Sequence, residues 1–275
     1  MSRTTSEQPA SSRRSIVSFG SLGPPVMRLF CFPFAGGSSV SYKDWSEALP
    51  RTAVSAIELP GRGRLFGLPP LRRLSQVVDY ALDAVDARID LPFAIYGHSV
   101  GAVAALEVTR ALAKRGKRAT CLIVSGSAAP HVPLRPSRPL HSMPRAELID
   151  ALERRGSLPA GLLRMPDVLD AFLPTIRADL EALETWEGEI TDIGIPIYAV
   201  GGKEDPDVSW GDLLEWGRYT SVHFGITQLG GGHSFIKSHE EYFMALLREY
   251  LTPRPVLSPE AGPTRPYIRG GGVRL

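Results

Sequence analysis

PFAIYGHSVGA, residues 92–102, sets a lone serine between two glycines immediately after an apolar run. A surface loop has no need of that arrangement; a nucleophile held on a sharp turn does. Gly97-His98-Ser99-Val100-Gly101 fits G-x-S-x-G, between an expected strand (PFAIY) and an expected helix (VGAVAALEVTRALAKRG). A turn this tight requires small flanking residues, which Gly97 and Gly101 supply. Ala102, Ala104 and Ala105 let the helix approach the sheet closely. Ser99 is therefore expected at the carboxyl end of a sheet and at a helix N-terminus, where the helix dipole favours developing negative charge.

The pattern repeats on either side of this stretch. Strands are expected at 27–32, 53–59, 92–96, 120–126, 196–200 and 223–229, and several are nearly continuous apolar runs. Such runs suit strands buried on both faces of a mostly parallel sheet. Between them lie amphipathic segments. Ser75 is a candidate cap for a helix carrying Val77, Val78, Ala81, Leu82, Val85 and Ile89 on one side. The helix after Ser99 is expected to end at Lys114-Arg115-Gly116, and a last helix to run from His239 to Tyr250. Alternating strands and helices give an α/β sheet with helices on both faces. Residues 130–190 carry helical patterns and no good strand, so they read as a helical lid inserted over the site. Residues 1–25 and 253–275 are rich in Ser, Arg, Pro and Gly, and read as a flexible arm and tail around a 26–252 domain.

A net charge of +2, with no basic stripe interleaved with aromatics, argues against a nucleic-acid partner. The polar start is unlike a secretory signal, and no apolar run is long enough to span a membrane. The two cysteines, Cys31 and Cys121, sit in apolar runs and read as small buried hydrophobes. A cytoplasmic protein is expected, a monomer by default. No H-E-x-x-H or C-x-x-C appears, so no metal is expected; no cofactor is expected either. The Gly-rich loop CFPFAGGSS lacks the G-x-x-x-x-G-K-[ST] of a phosphate cradle.

A serine needs a base, and this chain order calls for an acid and then a histidine. His233, in QLGGGHSFI (228–236), follows a strand and three glycines and precedes the last helix, so it is the expected base. His98 should point away from the serine; His131 and His141 lie in the insertion, His223 reads as structural and His239 as helix surface. PIYAVGGKEDPD (196–207) offers Glu204, Asp205 and Asp207 as the acid. Asp205, held extended by Pro206, is the first choice and Asp207 the second. Oxyanion donors are expected from the backbone N–H of Val100 and of Ala35, or Phe34, in the Gly-rich loop.

Together CFPFAGG (31–37), ELPGRGRL (58–65), YGHSVGA (96–102), SGSAAP (125–130), IRADLEALETW (176–186), GGKEDP (201–206) and GGHSFI (231–236) resemble the type II thioesterases. These are stand-alone enzymes of the α/β-hydrolase fold that accompany polyketide synthases and nonribosomal peptide synthetases. ELPGRG and RADL are the more discriminating of these motifs. The resemblance spans about residues 27–250. It implies hydrolysis of acyl thioesters from the phosphopantetheine arm of acyl or peptidyl carrier proteins, in an editing role. It assigns Ser99 as nucleophile, Asp205 as acid, His233 as base, and Ala35 and Val100 as oxyanion donors. Val100 stands where the family often has Met, and Phe34 where it often has His or Tyr. The rival readings are a carboxylesterase or lipase on small oxygen esters, a carrier-dependent acyltransferase, and a non-catalytic binding protein.

Overall fold

The computed structural model describes residues 15–133, 138–158, 160–252 and 267–268. An eight-stranded sheet runs in the order β1-β3-β2-β4-β5-β6-β7-β8. Its strands are β1 (Ile16–Phe19), β2 (Met27–Phe32), β3 (Thr52–Ile57), β4 (Phe93–His98), β5 (Leu122–Ser125), β6 (Ile197–Gly202), β7 (Phe224–Leu229) and β8 (Tyr267–Ile268). β1 pairs antiparallel with β3, and every other pairing is parallel. The helices are α1 (Trp45–Ala48), α2 (Leu74–Asp86), α3 (Val100–Lys114), α4 (Arg145–Arg154), α5 (Ala160–Leu163), α6 (Pro166–Glu184), α7 (Trp210–Leu214), α8 (Phe235–Ser238) and α9 (Glu240–Leu251).

The continuous apolar runs divide by parity, because successive strand side chains point to opposite faces. Phe30, Phe32, Ile95, Val124 and Ala199 pack on one face beneath α2 and α3. Leu29, Cys31, Tyr96, Ile123 and Val200 pack on the other beneath α9. Both cysteines are buried and free. The six expected strands are present, with shifted ends. β4 continues through Gly97 and His98, which pair with Phe32 and Ser125 on the neighbouring strands.

Two expectations are corrected. The stretch assigned to a flexible arm contains β1, because Ile16, Ser18 and their neighbours align with β3 and Ile16 is buried. Residues 1–14 lie outside the described part, as does the expected tail apart from Tyr267–Ile268, which forms the edge strand β8. Ser75 does not cap α2. Arg73 takes the cap position, so the helix begins two residues earlier, and Gln76 Oε1 accepts from the backbone N–H groups of Arg72 and Arg73 at 3.2 and 3.1 Å.

Between β5 and β6, α4, α5 and α6 form the expected helical insertion. It has an apolar cluster of its own, built from Leu140, Leu148, Leu152, Leu169, Leu173, Ile176 and Leu180. Ala35, from the loop after β2, packs against that cluster.

Candidate active site

Ser99 joins β4 to α3 with φ 55° and ψ −122°, the only positive-φ residue other than glycine among those described. Its N–H is taken by the Ser125 carbonyl at 2.8 Å, which anchors the turn to β5. A Cβ on Gly97 would stand 2.0 Å from the Gly101 carbonyl oxygen, and one on Gly101 would stand 2.4 Å from that of Phe32. Both glycines are required by this close approach. Val100 opens α3, so its N–H has no acceptor within the helix.

The loop after β7 brings His233 back over the sheet edge. Its Nε2 lies 3.1 Å from Ser99 Oγ, and its Nδ1 lies 2.9 Å from Asp205 Oδ2. With the proton on Nδ1, facing the carboxylate, Nε2 accepts from the serine hydroxyl. The Asp205 side chain has no solvent exposure, and its Oδ1 accepts from the Asp207 N–H at 3.0 Å.

The other two carboxylates of that loop are turned elsewhere. Asp207 pairs with Arg155 of the insertion, with Arg155 Nη2 at 3.1 Å from Oδ1. Glu204 accepts from the Gly231 N–H. Asp205, Asp207 and His233 lie close enough together to hold a metal ion, but each is already engaged by the partners named.

The remaining histidines are held in other roles. His98 Nδ1 lies 2.8 Å from Ser125 Oγ, and its ring centroid is 5.3 Å from that of His233. Burial, and then the neighbouring His233, hold the His98 imidazole well below the usual histidine range, so it is neutral. His131 is bonded by Tyr219 and Glu215, and His141 by Glu184. His223 lies against Tyr198, and His239 meets Ser238 at the start of α9.

The Gly-rich loop turns at Phe34–Gly37, closed by the Gly37 N–H donating to the Phe34 carbonyl at 2.8 Å. Gly36 has φ +71°, and a Cβ there would stand 2.6 Å from Ile176 Cγ1. Its N–H donates to Asp179 Oδ2 at 2.8 Å. Asp179 in turn accepts from Arg62 Nη1 and Nη2, at 2.8 and 2.7 Å. The two most discriminating sequence motifs, ELPGRG and RADL, thus meet in one buried ion pair. Reading the residues one by one missed Arg62 and Asp179 as parts of the site; the motifs that contain them were the available signal. Glu58, from the first of these motifs, is also buried and accepts from Ser39 of the same loop region.

A cavity of about 510 Å³ opens beside Ser99 and His233. Phe34, Ala35 and Tyr96 line its inner wall, while Leu152, Ile176 and Leu180 of the insertion close it from above. That volume and apolar lining suit a small organic group.

A serine on a strand-to-helix turn, at the carboxyl edge of a mostly parallel sheet and under a helical cap, defines a serine hydrolase of the α/β-hydrolase fold. The model of the family described as Thioesterase domain matches residues 27–251, and the chain belongs to that family. Among curated relatives, Linear gramicidin dehydrogenase LgrE of Brevibacillus parabrevis is 32% identical over 81% of this chain and 87% of its own. Gramicidin S biosynthesis protein GrsT of Aneurinibacillus migulanus is 30% identical over 83% of this chain and 91% of its own. Among solved structures, YbtT, a type II thioesterase from the yersiniabactin NRPS/PKS pathway, superposes with a TM-score of 0.75 at 29% identity. It covers 86% of this chain and 98% of that one. The resemblance to type II thioesterases therefore holds over nearly the whole described domain. The name of LgrE denotes a redox activity, which is said of that protein. Among the described residues, no helix is long and apolar enough to cross a membrane.

Proposed function

We propose that this thioesterase releases acyl groups from the phosphopantetheine arm of carrier proteins in polyketide or nonribosomal peptide assembly, clearing blocked or wrongly loaded carriers. The observation that carries this reading is the contact of Ser99 Oγ with His233 Nε2 at 3.1 Å, at the wall of an apolar chamber. The names of GrsT and YbtT, which place those proteins in such pathways, support it.

In the first step His233 takes the Ser99 proton as Oγ attacks the thioester carbonyl. The N–H groups of Ala35 and Val100 receive the oxyanion. The C–S bond then breaks, and the proton on His233 passes to the departing thiolate. In the second step a water gives its proton to His233 and its oxygen to the acyl carbon. The Oγ–C bond breaks, and Ser99 recovers the proton as the free acid leaves. Asp205 holds the Nδ1 tautomer and stabilises the imidazolium. A thiolate leaves more readily than an amine, so leaving-group protonation weighs less than in amide hydrolysis.

The test is a panel of acylated carrier proteins and matched free thioesters, with Ser99→Ala, Asp205→Asn and Asp207→Asn alongside. Release from carriers in preference to free thioesters is expected, and Ser99→Ala should abolish it. Asp205→Asn should lower kcat by roughly 10³- to 10⁴-fold, and Asp207→Asn by far less. If carriers keep their acyl groups while small oxygen esters are cleaved, the chain is an esterase and this reading fails. Equal losses for the two aspartate variants would remove the assignment of Asp205.

A further inference from the structure

We propose that Arg62 and Asp179 are positioning residues that set the oxyanion loop and tie its geometry to the helix roofing the acyl chamber. The inference rests on the reading of Ala35 as an oxyanion donor. Arg62 is 1% exposed and Asp179 4% exposed, so the pair is shielded from water. An ion pair this deeply buried recovers its desolvation cost only if its geometry is good and its remaining valences are met. The carboxylate meets that condition with three donors, both Arg62 terminal nitrogens and the Gly36 N–H, while Arg62 Nε has no partner among the described residues. The guanidinium also donates to the Gly37 carbonyl at 3.1 Å. The pair therefore grips the loop at two successive residues.

The consequence for catalysis follows from the turn itself. Gly36 N belongs to the peptide plane that begins at Ala35, so fixing its direction fixes the rotation of that plane. The Ala35 N–H, at the preceding peptide, is the group that must face the developing charge. A preorganised donor needs such restraint, because a loop free to rotate would reorganise during the reaction.

The second half of the inference concerns α6. Thr175, one turn before Asp179, donates to the Gly61 carbonyl at 2.8 Å. Ile176 lies against the Gly36 backbone and also lines the chamber, as does Leu180. One helix face thus touches the acyl chamber, the oxyanion loop and the Arg62 loop. A shift of α6 to fit a different acyl group carries Asp179 with it, and hence the Gly36 N–H.

The experiment compares wild type, Asp179→Asn and the double variant Arg62→Met/Asp179→Leu in three measurements. These are thermal melting, the rate of Ser99 labelling by a fluorophosphonate, and kcat and KM on a small acyl thioester. Asp179→Asn leaves a buried guanidinium without its counter-charge and should lower the melting temperature, while the double variant removes both charges and should regain most of it. The labelling rate and kcat of both variants should fall by roughly 10²- to 10³-fold, the loss expected when one oxyanion donor is displaced. KM should stay within about threefold, because the chamber is intact. If the labelling rate and kcat of the double variant recover along with its melting temperature, the pair is merely structural and the proposal is wrong. Fluorophosphonate labelling needs no carrier. A wild type that labels normally but leaves carriers acylated would overturn the proposed function while leaving this inference to be judged on the variants.

Discussion

His98 sits beside the nucleophile without sharing its role. The residue is 6% exposed, and its ring is bonded to Ser125 and packs edge-on to Phe34. Buried and neutral in the folded protein, it regains an ordinary pKa near 6.5 when the chain unfolds. Below that pH the unfolded state binds the extra proton, so His98 makes stability fall as pH drops. The slope from this one group is at most about 1.4 kcal/mol per pH unit. Denaturant melts between about pH 7 and pH 5 should therefore show a shallower pH dependence for His98→Gln than for wild type. An unchanged slope would mean that His98 titrates alike in both states. The two cysteines follow the same logic of burial. It raises the Cys31 thiol well above its usual range and pushes Cys121 up to about 12, so neither is a thiolate near neutral pH.

At the scale of the element, the β4–α3 junction stores strain where the chemistry is placed. A non-glycine residue at φ 55° and ψ −122° costs of order 1–3 kcal/mol. Glycine adopts this conformation freely, whereas alanine keeps the offending Cβ. Ser99→Gly should thus be more stable than Ser99→Ala by about 1 kcal/mol, and both should be inactive. Chemical denaturation of the two variants checks the difference; equal stabilities would mean that the turn relaxes around alanine. This junction was legible in advance because glycine spacing, strand and helix all pointed to it. The start of α2 was not. Ser75 is a good cap by residue type, but Leu74 is buried with the core and draws the helix start two residues earlier, leaving the capping bonds to Gln76.

Over the whole molecule, the insertion is both a roof and a strut. Its apolar cluster is separate from the two layers that flank the sheet. Polar contacts join it to the loops that carry Asp205 and His233: Arg155 to Asp207, and Ser234 Oγ to the Gly156 carbonyl at 2.6 Å. These contacts sit two residues from Asp205 and one from His233 in sequence. Arg155→Met should release the turn after α4 from the acid loop while the sheet stays closed. Amide hydrogen exchange should then quicken across residues 145–158 and remain slow in β4 and β5. Unchanged exchange in that segment would show that packing alone holds the insertion.

Local pattern alone was enough for the sheet and the serine elbow, and it pointed to His233 as the base proposed here. Each is written in local patterns: apolar runs split by parity, small residues at a tight turn, and glycines ahead of His233. It narrowed the acid to three neighbours and ranked Asp205 first, without showing where any of them pointed. Only the tertiary structure separated them, because Asp205 is turned toward His233 while Arg155, a distant residue, draws Asp207 away. Likewise ELPGRG and RADL were visible as motifs, but their meaning was not. Arg62 and Asp179 stand far apart along the chain, and only folding brings them to one buried point beneath Gly36, where each supplies the other's missing charge.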